Sequence, residues 1–122
     1  MNKTKLSLTV LVLLLSTATL MADPVANGYT AEPEPVHGMQ DLEQNTIYPS
    51  FEQDLGRDGY VVLNFHVDVL GNISRVEVAQ SGGSPFDQSA IQAVLNTDWN
   101  PAMQNGTAVP VTFQLPFEFH SK

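Results

Sequence analysis

"SGGSPFDQSAIQAVLNTDWNPA", Ser81 to Ala102, is the stretch on which the fold turns. Two glycines lead into Ser84 and Pro85, a residue able to cap a helix followed by one suited to its first turn. Asp87 stands three places after the serine. From there the apolar residues keep helical spacing: Phe86, Ala90 and Val94 make one row, Ile91 and Leu95 the next. This spacing predicts a helix from Pro85 to about Asn96 with one side against a sheet. The run ends at Trp99, the chain's single tryptophan.

Outward from this unit, the flanks read as strands. "YVVLNFHVDV" (60–69) alternates, with Val61, Leu63, Phe65, Val67 and Val69 on one side and Asn64, His66 and Asp68 on the other. Tyr60 and Val62 are apolar exceptions on the outer face. "LGN" (70–72) predicts a tight turn at Gly71, and "ISRVEVAQS" (73–81) returns as a second strand with Val76 and Val78 inward. A short helix opening at Pro49 or Ser50 is expected to carry Phe51 and Leu55 and to end near Gly56. After "WNPAMQNGT" comes "VPVTFQLPFEF" (109–119), where Val109, Val111, Phe113, Leu115, Phe117 and Phe119 alternate with Pro110, Thr112, Gln114, Pro116 and Glu118. That is the strongest strand pattern in the chain. The order is α-β-β-α-β, an α+β domain with a small three-stranded antiparallel sheet and helices on one face. The last strand is expected beside the first, which takes the centre.

Composition limits what such a domain does. The chain has 122 residues, enough for one small core, and no cysteine, which excludes thiol catalysis, thiolate metal sites and disulfides. Residues 1–22 have the anatomy of a secretory signal peptide: Lys3 and Lys5, the apolar Leu6–Leu15, then small and polar residues with Ala22 at the preferred cut. An uncleaved short anchor is the alternative. Export to the periplasm follows from either. Removing the leader leaves Arg57, Arg75 and Lys122 against 13 acids, and a chain this acidic repels phosphate backbones and anionic lipid. Nucleic acid is therefore not an expected partner. Residues 23–46, with Pro24, Pro33, Pro35 and the acidic "EPEP" (32–35), read as an extended, disordered segment ahead of a domain at 47–120. Fully stretched, Asp23–Ile47 reaches at most about 80–90 Å.

Tyr48-Pro49, Gly59 opening a hydrophobic strand, the Gly71 turn, "SGGSPFDQSAIQAV", Trp99 with Pro101, Gly106 and the closing Phe-rich strand together resemble the C-terminal domain of the TonB family. The resemblance covers Ile47 to Phe119 and implies the same αββαβ fold, with the Ser81–Ser84 loop turning the chain into the second helix and Trp99 packed beneath that helix. It also implies energy transduction across the Gram-negative periplasm: an inner-membrane helix, a long proline-rich spacer, and a domain that grips an outer-membrane transporter by strand addition. Here the spacer is nearly absent, and the N-terminal segment lacks the histidine that the family's anchor helix carries. A stand-alone exported binding module is the resulting expectation.

No catalytic constellation emerges. His37, His66 and His120 have no metal spacing between them, and Asp54 and Asp58, or Glu32 and Glu34, lie on loops or helix surface. A non-enzyme without cofactor, metal or small-molecule substrate is expected. The partner-binding site is assigned to the edge of the closing strand at Val111, Thr112, Phe113, Gln114 and Leu115. Pro110 and Pro116 cannot donate backbone bonds, so their parity, shared with Thr112 and Gln114, should face away from the neighbouring strand. The partner is an envelope protein or the peptide segment of a TonB-dependent transporter. A second copy of the chain, giving a structural homodimer on the same edge, is the alternative.

Overall fold

The computed structural model describes residues 9–12 and 30–121. Among the described residues eight strands and three helices follow one another: β1 (Thr9–Val12), β2 (Glu34–Pro35), α1 (Met39–Asn45), α2 (Ser50–Asp54), β3 (Gly59–Val67), β4 (Ile73–Gln80), α3 (Ser84–Leu95), β5 (Trp99–Asn100), β6 (Ala102–Gln104), β7 (Thr107–Val109) and β8 (Val111–His120). The principal sheet is antiparallel in the order β1-β8-β3-β4, with two small ribbons, β2-β5 and β6-β7, beside it. The expected α-β-β-α-β order is present, with β8 against β3 and β3 between β8 and β4.

The β3–β8 ladder is unbroken from Gly59–Phe119 to Val67–Val111, so the odd-numbered residues of both strands share the core face. Val61, Leu63, Phe65, Val67, Phe113, Leu115, Phe117 and Phe119 are buried there, each large side chain contributing roughly 1.5–3 kcal/mol. Helix α3 lays Phe86, Ala90, Ala93 and Val94 on this face. Phe86 packs 5.0 Å from Phe119 between ring centres, and Tyr48 meets both edge-on. Gly59 is required by this packing, since a Cβ there would sit 2.5 Å from the Phe86 ring. Trp99 is 5% exposed, lies 5.3 Å from Phe65 and donates its indole N–H to the Val94 carbonyl at the end of α3. The expected place of the tryptophan is confirmed.

Several expectations are corrected. Residues 30–46 are not a disordered extension: Thr30 and Ala31 bond Met103, β2 pairs with β5, and α1 puts Leu42 wholly inside. Pro35 stands opposite Trp99, so the proline-rich run is held by the tryptophan strand. Helix α2 forms where expected, but Phe51 is 67% exposed and it is Glu52, beside Arg57 at 3.4 Å, that turns inward. With little more than one turn, the angle at which the chain leaves Pro49 outweighs the i, i+4 pattern.

Val69 leaves the sheet because Asp68 ends the strand. Its carboxylate accepts the N–H groups of Leu70 and Asn72, and Gly71 turns with φ +86° directly against the Trp99 carbonyl. In β4 Ile73 and Val76 pack against the core while Val78 is exposed. Register shifts interrupt the β3–β4 ladder, and Arg75 takes φ +51°, the signature of a bulge. The helix cap is also different. Gly83 is the N-cap of α3, and Asp87 reaches back to accept Gly82 N–H at 2.8 Å and the Ser81 hydroxyl at 2.5 Å. Leu95 is exposed. Finally, the long closing run is split at Pro110: Val109 belongs to the β6–β7 hairpin, whose two-residue Asn105-Gly106 turn has both φ values positive.

Candidate partner-binding edge

β8 is bonded along one side to β3. Pro116 stands opposite Val62 and has no N–H, so a complete ladder needs the odd-numbered residues of β8 to exchange bonds with β3. The N–H groups of Thr112, Gln114, Glu118 and His120 then point to the other edge. On that edge β1 runs antiparallel, with Thr9 opposite His120, Val10 opposite Phe119, Leu11 opposite Glu118 and Val12 opposite Phe117. Among the described residues nothing pairs with Val111–Pro116 on this side.

The five residues assigned from sequence form one continuous strand but present different groups. Val111, Phe113 and Leu115 are buried and offer only backbone. Thr112 is exposed, opposite His66, and Gln114 is half-buried opposite Asn64, donating from its amide nitrogen to the Asn64 amide oxygen at 3.0 Å. That bond holds two carboxamides flat on the outer face. His66 lies beside it with its Nδ1 buried and unbonded. At the far end, Glu118 pairs with His120 at 3.0 Å. Asp58 accepts the Ser121 backbone N–H at 2.8 Å, a contact that holds its carboxyl below the usual range and clasps the chain just past β8.

The three histidines are not brought together, Asp54 and Glu34 are exposed, and among the described residues no group of three or more potential ligands surrounds a metal position. The occupant of the Phe117–His120 edge was not legible as one, because Thr9–Val12 reads as leader. Its Thr-Val-Leu-Val run, three of the four β-branched, is the sequence signal for a strand. The predicted cleavage point after Ala22 lies outside the described residues.

The model of the Gram-negative bacterial TonB protein C-terminal family matches residues 44–121, more than half of the chain. The chain belongs to the TonB C-terminal family. It is 30% identical over 81 residues to Protein TonB of Pasteurella multocida (strain Pm70), a match that takes in 62% of this chain and 32% of that protein. It thus spans about a third of the length of this curated relative. Among solved structures, the TonB2 protein from Vibrio anguillarum superposes with a TM-score of 0.57 at 23% identity, over 78% of this chain and 87% of that one, and shares the fold. The solution structure of the Pseudomonas aeruginosa TonB C-terminal domain gives a TM-score of 0.49 at 26% identity, covering 63% and 78%. The TonB match begins inside α1, at residue 44, so β2 and most of α1 lie ahead of the family region. Among the described residues no helix is long and apolar enough to cross a membrane.

Proposed function

We propose that this TonB-family chain is a periplasmic binding module that captures an extended segment of an envelope protein, of the TonB-dependent transporter kind. It does so by adding that segment as a strand along β8 at Val111–Leu115. One observation carries the reading: the same edge of β8 already accepts an antiparallel strand at Phe117–His120, so its twist and exposure suit strand addition. Backbone bonds supply affinity, while Thr112 and Gln114 are the side chains available to set register. Pro116 limits the window, since no incoming carbonyl finds a donor there. The reading is of a non-enzyme, exported by residues 1–22. With residues 30–46 folded onto the domain, only Asp23–Tyr29 separates leader from fold, a reach of at most about 25 Å. A tether this short supports capture rather than transmission of force over a distance.

A photo-crosslinking residue in place of Gln114, introduced in cells, is expected to trap an outer-membrane protein identifiable by mass spectrometry. Thr112→Pro should abolish that adduct without changing the melting temperature, because the Thr112 N–H serves nothing within the β3–β8 ladder. An adduct formed only with a second copy of the chain favours the homodimer instead. A Thr112→Pro protein that folds and still captures its partner places docking elsewhere.

A further inference from the structure

The outer face of the sheet carries polar residues in transverse rows that end at the Val111–Leu115 stretch of β8. Register sets one row as Glu77 on β4, Asn64 on β3 and Gln114 on β8, and the next as Ser74, His66 and Thr112. Directly opposed residues have Cβ atoms about 4.5–5.5 Å apart, close enough for their side chains to bond. The first row has a direction. Glu77 carries an acceptor-only carboxylate, which favours the Asn64 amide nitrogen on its side. The Asn64 oxygen then faces β8, where it accepts the Gln114 amide nitrogen at 3.0 Å. A planar carboxamide whose nitrogen points to β3 turns its oxygen the other way, toward the open edge. Gln114 thereby presents an acceptor to a strand laid beside it. Thr112 presents a hydroxyl that both donates and accepts, and so discriminates little.

We infer that Gln114, positioned by Asn64, selects the segment that β8 captures: the residue paired with Gln114 carries a hydrogen-bond donor, as Asn, Gln, Lys and Arg do, and not a carboxylate. The excess of acids in the chain, 13 against 5 Lys and Arg, also disfavours a carboxylate there. The inference rests on the strand-addition reading above and adds the chemistry of one position in the partner. Both rows lie clear of Phe117–His120, so nothing here depends on what pairs with that end of β8.

The exported chain, purified from the periplasm, is used to select binders from a displayed library of short randomised peptides, in parallel with Gln114→Leu, Asn64→Leu and Thr112→Pro. Enriched peptides should share one position at which Asn, Gln, Lys and Arg exceed Asp and Glu by about fivefold or more, the scale of a favourable cross-strand pair. Gln114→Leu should turn that position, and no other, to apolar residues. Asn64→Leu frees the Gln114 amide to present either end, and the donor preference should shrink by at least about twofold. Asn64→Ala takes its place if Asn64→Leu lowers the melting temperature. A preference left in place by Gln114→Leu, or carboxylates accepted at every position, overturns the inference; loss of those peptides in Thr112→Pro then keeps strand addition standing. A preference unchanged in the Asn64 variants overturns the positioning role of Asn64. No enriched peptide, or binding that persists in Thr112→Pro, overturns strand addition and this inference with it.

Discussion

Trp99 joins three parts of the fold. Its indole N–H satisfies the Val94 carbonyl near the C-terminus of α3, its ring lies on Phe65 at the centre of the sheet, and its backbone pairs with Pro35. Its own carbonyl sits where a Cβ on Gly71 would go, so the hairpin turn closes over it only because residue 71 has no side chain. Trp99→Ala removes the aromatic volume and the indole donor to the Val94 carbonyl, which keeps the longer Thr97 N–H contact at 3.4 Å, and it is expected to cost about 3–5 kcal/mol. Thermal or denaturant unfolding checks this; a midpoint within a degree or two of wild type would show that the indole is not part of the core. The motif residues Gly59, Gly71 and Trp99 are thus explained by packing, and none of them faces the β8 edge.

At the scale of the element, α3 depends on a cap that sequence spacing misplaces. Ser84 is the first helical residue rather than the cap, and Asp87 gathers the Gly82 N–H and the Ser81 hydroxyl, while that same hydroxyl accepts the Gly83 N–H at 3.0 Å. The carboxylate also lies in the helix's first turn, where the dipole favours it. Asp87→Ala should therefore cost about 0.5–2 kcal/mol, the range for losing a helix cap. Ser84→Ala should cost almost nothing. Unfolding measured on both variants separates the two; a larger loss from Ser84→Ala would restore the serine as the cap. β8 was legible because its alternation is strict, but its boundary was not: Pro110 permits an extended chain on either side, and only the Asn105-Gly106 turn hands Val109 to the other ribbon.

For the whole molecule, acid is the informative perturbation. Asp68 and Asp58 are both held below the usual carboxylate range, Asp68 first by the Asn72 backbone N–H and Asp58 first by that of Ser121. A depressed folded-state value means that stability is fully present above about pH 4, where the unfolded carboxyl is also ionised, and is lost as pH falls through the folded-state value. These two groups close the β3–β4 turn and clasp the end of β8, so the sheet should loosen from both places below about pH 4. The melting temperature is expected to fall between pH 5 and pH 3 by less in the Asp58→Ala, Asp68→Ala double variant than in wild type. Equal falls would assign the acid sensitivity to other carboxylates.

Local pattern by itself determined the element order, the odd-numbered core of β3 and β8 and the family, and the family resemblance implied the place of Trp99. These rest on periods of 2 and 3.6 and on a handful of glycine, proline and aromatic positions, and short-range geometry suffices to read them. Tertiary structure alone decided the rest. The Phe51 and Leu55 pair faces solvent because the short α2 is positioned by its neighbours rather than by its own apolar residues. Residues 30–46 are ordered because Trp99 and Met103, more than 50 residues away, supply strand partners that no local composition reveals. The segment that reads as leader becomes a strand because β8 has a free row of donors and acceptors. A backbone edge is blind to side-chain pattern, and so the strand that covers it is invisible until the chain is folded.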